Sequence, residues 1–278
     1  MSAIVNKYNN LPDLCFFFPR HVRKSIHKDI WKECLKGIRK NYPTEQIFII
    51  DDNSDKNLID EFDNELIWMM NNVNVINSAF PGAGELLPFY YFHLLKPAKK
   101  AVFISDSMFI QKPFDKNIID NLQDVRFLWH FGHSSEPLFA VNTEMNDNKI
   151  YYFFNIMHSL LQNLNYNNDL INLFNSTDWV GCFAASCIIN LNFMDILVSK
   201  YNFLKLLNFI VNRDMRQMLE RIFALVVLFE LQNKPNIKDS ISIFGDIWYY
   251  QQGSFTFSFD DYKNTKLDLP IVKCWNSR

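Results

Sequence analysis

Three apolar runs in this 278-residue chain break off at side chains that can carry charge or exchange protons. "LCFFF" (14–18) runs into Pro19, Arg20 and His21, and "QIFII" (46–50) runs into Asp51, Asp52, Asn53, Ser54 and Asp55. "AVFIS" (101–105) runs into Asp106 and Ser107, so one acid stands between two serines. A carboxylate in apolar surroundings is expensive unless it is paired, hydrogen-bonded or bound to a cation. Asp51, Asp52 and Asp106 are therefore candidates for accepting hydrogen bonds from a polar ligand, and Asp106 for holding a hard divalent cation. Farther along, Glu220 stands near Arg216 and Arg221, and Asp178 precedes "WVGCF". His130 and His133 fall in "LWHFGHSSEP", where an isolated histidine near aromatics is more often structural. The acids have ordinary structural uses as well. An Asp-Asp-Asn-Ser run after a strand caps a helix or makes a turn, and Glu220 can pair with an arginine on its own helix.

Bringing separate strand ends together requires a scaffold that sets strands side by side. The short apolar runs at 14–18 and 46–50 read as buried strands, "VNVIN" (73–77) as a third strand and "AVFIS" (101–105) as a fourth. Between the first two, Ile26, Ile30, Trp31, Cys34, Leu35 and Ile38 fall at helical spacing; a short helix is expected around "LIDEF". After the third strand the turn "PGAGE" opens an apolar helix, "LLPFYYFHLL", with Glu85 in its first turn, where the helix dipole favours an acid. Four alternations in about a hundred residues predict an α/β open sheet of parallel strands joined by helical crossovers. In such a sheet ligands bind beyond the carboxyl ends of the strands, the edge on which all three polar clusters fall. Beyond residue 125 the order is less regular. "RFLWHF" (126–131) reads as a strand, "IYYFFNIMHSLLQNL" as a long helix, "WVGCFAASCIIN" as a strand segment opened by glycine, and "DMRQMLERIFALVVLFEL" as a second long helix. The expected organisation is one domain over 1–278, with a nucleotide-type half at 12–125 and an irregular half at 126–278.

Composition narrows the function classes. Hydrophobic residues make up 49% and charged residues 21%, as in globular proteins, and the net charge of −2 lacks the basic excess of a bulk nucleic-acid binder. The longest apolar stretch, "IFALVVLF" (222–229), is too short to span a bilayer, and "MSAIVNKYNN" does not read as a secretory signal. Five cysteines without close metal-ligand spacing fit reduced thiols, so a cytoplasmic location is expected. The abundance of Asn, Ile, Lys and Phe fits an AT-rich coding sequence.

The stretch "FFFPRHVRKSIHKDIWKECLKGIRKNYPTEQIFIIDDNSD" resembles the opening of nucleotide-sugar glycosyltransferases of the GT-A fold, especially family 2. "GAGE" and "KKAVFISDSMFI" are similar to that family's later segments, in which an apolar strand delivers an Asp-X-Asp motif. "WVGCFAASCII" and "MLERIFALV" resemble its acceptor-side segment and its acid-led helix. The resemblance covers most of residues 12–230, and the Asn-rich style together with "ISDSMFIQKPF" is also similar to glycosyltransferase-like proteins of giant DNA viruses. It implies transfer of a sugar, with inversion, from a nucleoside diphosphate donor, a UDP-sugar by preference, to a hydroxyl of a glycan or protein. It further implies nucleotide contacts from Pro19, Arg20, Asp51, Asp52 and Asp106, a catalytic base at Glu220 or Asp178, and host cytoplasm if the source is viral.

The chain departs from the family at the metal. Asp-X-Asp is replaced by Ser105-Asp106-Ser107, which leaves one carboxylate for Mn²⁺ or Mg²⁺ and makes the metal site weak. Two alternatives therefore stand beside the enzyme. One is a catalytically inactive GT-A-like binding or virion-associated protein. The other is a phosphatase with its Asp-X-Asp after a strand, a pattern that "IIDDNSD" meets poorly because Asn53 takes the place of the second acid.

Overall fold

In the computed structural model, residues 8, 10–59, 64–132, 147–176, 179–234, 240–251 and 256–275 are described. The apolar runs form strands as expected: β1 (Leu14–Arg20), β2 (Gln46–Asp51), β3 (Val73–Asn77) and β4 (Lys100–Phe103). They lie parallel, with β1 between β2 and β4 and β3 outside β2. The register pairs Pro19 with Ile50 and Arg20 with Asp51, so the first two polar clusters emerge side by side.

Alternation along β1 sorts its side chains between two cores. Cys15 and Phe17 enter one, and Leu14, Phe16 and Phe18 the other. The second core is covered by α1 (Ser25–Asn41), which buries Ile30, Trp31, Cys34, Leu35 and Ile38. Ile26, expected on that buried face, is exposed, and His27 and Arg39 are buried instead. Arg39 is tolerated because its guanidinium donates to the backbone carbonyls of Met69, Tyr42, Pro43, Glu45 and Asn71. The first core is covered by α3 (Leu87–Leu95) and by the later helices. With α2 (Asn64–Ile67), α4 (Lys116–Asp120), α5 (Asp147–Leu161), α6 (Asn167–Asn175) and α7 (Leu191–Ser199) in between, the longest is α8 (Arg213–Leu231). Most of "LIDEF", where a short helix is expected, lies outside the described residues; the 3₁₀ turn Lys56–Leu58 precedes it.

The second half alters the sheet. The run "RFLWHF" is two strands, β6 (Val125–Phe127) and β7 (His130–Phe131), and "WVGCFAASCIIN" is also two, β8 (Gly181–Cys182) and β9 (Cys187–Asn190). β9 runs antiparallel between β4 and β6, which completes a six-stranded sheet in the order β3-β2-β1-β4-β9-β6. β7 pairs with β8 outside it, so each apolar run splits where the chain leaves the main sheet. The result is an α/β fold with a mostly parallel open sheet and helices on both faces, as the alternation of strands and helices predicts. A further pair joins β5 (Met108–Ile110), just after Asp106, to β10 (Ile271–Lys273), antiparallel. Among the described residues no helix is long and apolar enough to cross a membrane. All five cysteines are buried free thiols.

Candidate active site

At the ends of β1 and β2 the acids are engaged by the protein itself. Arg20 Nε donates to Asp51 Oδ2 at 2.7 Å, both residues are buried, and the guanidinium lies 4.9 Å from the Trp31 ring centroid. The other Asp51 oxygen accepts from the Ser54 backbone N–H at 2.9 Å. Asp52 reaches across to the "PGAGE" turn, where its two oxygens accept from the N–H groups of Gly82 at 2.6 Å and Gly84 at 3.1 Å. Ser54 Oγ accepts from the Val22 backbone at 2.8 Å. These contacts knit three loops into one rim. Arg20 is turned into the protein, while Pro19 stays partly open at the strand end.

The turn is in turn fixed to α8. Arg216 donates to the Gly82 carbonyl at 2.9 Å and forms an ion pair with Glu85 at 3.1 Å. Arg216 was one of the two arginines expected to pair with Glu220; the structure gives it to Glu85, in a 3₁₀ turn (Gly84–Leu86) ahead of α3. Glu220, one helical turn further along α8, is left facing inward. Its surface is only half-buried, yet desolvation of the carboxyl is the largest influence and pushes its pKa up to about 8. Arg221 and the Ala184 backbone N–H act against that rise, Glu85 adds to it, and Lys273 opposes it. Arg221 itself bonds to the Gln217 carbonyl and lies over the Phe131 ring at 4.8 Å.

Ala184 belongs to a 3₁₀ turn, Phe183–Ala185, between β8 and β9, and both alanines are left-handed, with φ of 52° and 48°. An L-residue in that region costs about 1–2 kcal/mol. Strain of this kind persists only where the surroundings impose it, and it gathers at functional sites. Here it presents the Ala184 N–H to Glu220.

After β4 the Ser105 and Ser107 hydroxyls lie 3.2 Å apart. Between them comes Lys273, from the last residue of β10: its ammonium donates to Ser107 Oγ at 2.6 Å and to Ser105 Oγ at 3.1 Å. Asp106 is 2% exposed and lies close enough to α1 that its charge adds to burial in raising the Cys34 thiol pKa. Phe183 stands 6.0 Å from the Lys273 ammonium and meets Trp248 and Trp275, also at 6.0 Å, forming an aromatic wall beside the cation.

The structure thus gathers Glu220, Glu85, Arg216, Lys273 and the Ser105-Asp106-Ser107 turn around the carboxyl edge of the sheet. Asp178 and His133 lie outside the described residues. His130 is in β7 with Nδ1 2.7 Å from Ser242 Oγ, a contact that ties β7 to the 240–251 segment. Among the described residues no group of three or more His, Cys, Asp or Glu side chains is arranged to hold a metal. Lys273, the Ala184 N–H and the Glu85–Arg216 pair were not foreseen from sequence. Lys273 had one faint signal, a short β-branched run after Pro270 in "PIVKCW".

No protein-family model matches the chain, and no curated protein matches it significantly. Solved structures of Staphylococcus aureus TarS are similar to it at 15% identity, covering 48% of this chain and 24% of that one, with a TM-score of 0.32. A TarS fragment, 1–349, in complex with UDP gives 16% identity over 45% of this chain and 37% of that one, also at TM-score 0.32. The same fragment with UDP-GlcNAc gives 16%, 45% and 36%, again at 0.32. The chain spans well under half the length of these proteins. A likeness this partial decides nothing about the site, whose reading rests on its own geometry.

Proposed function

We propose that this chain is a glycosyltransferase that moves a sugar from a nucleoside diphosphate, a uridine nucleotide by preference, to an acceptor hydroxyl with inversion. The observation that carries the reading is the placement of the Glu220 carboxyl, beside the Ala184 N–H, and of the Lys273 ammonium, on the Ser105 and Ser107 hydroxyls, at the carboxyl edge of a mostly parallel sheet. The general acid–base role suits a group whose pKa lies near the working pH. In a direct displacement the acceptor oxygen forms a bond to the anomeric carbon while the bond from that carbon to the diphosphate oxygen breaks. The electron pair leaves with the diphosphate, and the hydroxyl proton passes to Glu220. The aromatic wall of Phe183, Trp248 and Trp275 offers an apolar face for sugar rings. A rim tied together by Asp51, Asp52 and Arg216 holds these parts in register.

A second reading, a binding module without turnover, is favoured by one observation: the Asp51 and Asp52 carboxylates already accept hydrogen bonds from the protein. Incubating the protein with a panel of nucleoside diphosphate sugars and measuring release of free nucleoside diphosphate separates the two. Slow release from one or more UDP-sugars, abolished by Glu220→Gln or slowed at least tenfold, is the expected result. Nucleotide binding by calorimetry with no release from any donor, with or without sugar acceptors, would select the binding module.

A further inference from the structure

Resting on that reading, we infer that the Lys273 ammonium is the resident cation of the donor site. It takes the place of a divalent metal at the Ser105-Asp106-Ser107 turn and carries the diphosphate's charge as the sugar leaves.

The residues present do not fit a divalent ion. Mg²⁺ and Mn²⁺ take hard oxygen ligands and favour anionic ones. Both side chains flanking Asp106 are neutral hydroxyls, and each accepts a hydrogen bond from the same ammonium, at 2.6 and 3.1 Å. A divalent ion bound by those hydroxyls would displace Lys273 or lie a few ångströms from a like charge. The chemistry of the departing group still requires positive charge, because the breaking bond leaves its electrons on a diphosphate oxygen. An ammonium can meet that need as a point charge on a flexible stem.

Lys273 is held for the purpose. Its backbone N–H donates to Gln251 Oε1 at 3.0 Å and its carbonyl accepts from Gln251 Nε2 at 2.9 Å. The next residue, Cys274, donates to the Ser107 carbonyl at 2.9 Å, and Lys273 pairs with Met108 in the β5–β10 register. Serine is the residue type this arrangement needs beside Asp106. With carboxylates at 105 and 107 the ammonium would be locked into tight ion pairs, whereas the hydroxyls accept from it without adding negative charge. The same charge lies within electrostatic range of Glu220.

The test is calorimetry of UDP, UMP and uridine on the whole chain in EDTA and again in Mn²⁺, for wild type, Lys273→Met and Lys273→Arg. Wild type should bind UDP equally well in both buffers. Lys273→Met should weaken UDP by roughly ten- to a hundredfold, the range for losing a charged hydrogen-bond donor, while uridine binding stays within about twofold. Lys273→Arg should retain most of the affinity, and circular dichroism melts check that each variant is folded. UDP binding that requires Mn²⁺, or that Lys273→Met leaves unchanged, overturns the inference while leaving nucleotide recognition standing. A wild-type protein that binds no nucleotide in either buffer removes the underlying reading, and this inference with it.

Discussion

A carboxyl that takes a proton from an acceptor hydroxyl works best when its own pKa lies near the reaction pH. Glu220 meets that condition through burial first, with Glu85 adding to the rise. The same shift links it to stability. The folded chain keeps Glu220 protonated up to about pH 8, whereas the unfolded chain ionises it above its ordinary value of 4.5. The stabilisation from the neutral carboxyl is therefore complete below pH 4.5 and is lost as pH rises through 8. Glu220→Gln keeps the shape and removes the proton. Its melting temperature should match wild type at pH 5 and exceed it at pH 9, while donor release falls at least tenfold at pH 9 and changes little at pH 5, where the wild-type carboxyl is already protonated. Parallel melting curves for the two proteins across that range would mean that Glu220 ionises normally in the fold. Donor release by wild type should climb between pH 6 and 8 as the carboxyl deprotonates.

Among the elements, the "PGAGE" turn joins the two halves of the site, held by Asp52 from the β2 end and by Arg216 from α8. Asp52→Ala leaves the Gly82 and Gly84 N–H groups without their acceptor, which costs about 1–3 kcal/mol for a buried donor. The variant should therefore melt lower as well as bind nucleotide less well, and unchanged stability would show that water replaces the carboxylate. Gly84→Ala attacks the joint from its other side. Its φ is +48°, and an added Cβ would come within 2.3 Å of Arg216 Cδ, so the arginine must swing away from Glu85. The expected outcome is a loss of about 1–2 kcal/mol from the left-handed backbone, measured by urea unfolding. Release activity should fall further than in Asp52→Ala, because the turn stays bound to β2 while its link to the Glu220 helix is broken. The acids of this rim were legible in sequence because strand ends announce themselves: an apolar run stops and Asp-Asp-Asn-Ser begins. Their partners were not legible. Asp52 to Gly84 spans 32 residues and Arg216 to Gly82 spans 134, and no local pattern records such pairings.

For the whole molecule, the same limit explains which parts of the fold could be read ahead. β1, β2 and β4 and the helices after β1 and β3 follow from run length and helical spacing, since parallel strands buried on both faces are continuously apolar, whereas β3, at the sheet edge, is partly exposed. The antiparallel insertion of β9 between β4 and β6 was hidden, because apolarity does not encode strand direction. β10 was hidden because three residues carry too little pattern, yet it supplies the cation for a turn 166 residues earlier. That long connection allows the placement of Lys273 to be tested without touching it. Gln251 is 1% exposed, and its amide both donates to and accepts from the Lys273 backbone, filling the side of β10 that faces away from β5. Tyr250, whose hydroxyl donates to the Ile271 carbonyl at 2.9 Å, closes the same side two residues earlier. Gln251→Ala leaves two backbone groups of β10 unpaired, and the strand should loosen by about 1–3 kcal/mol. A purely structural glutamine would lower the melting temperature and leave UDP affinity alone. A glutamine that positions the ammonium should also weaken UDP several-fold, and this loss should disappear in the Lys273→Met background, where no cation is left to misplace. Calorimetry on the four proteins of that cycle decides between them: equal losses in both backgrounds would assign Gln251 to the fold alone, and a loss confined to the Lys273 background would assign it to the site.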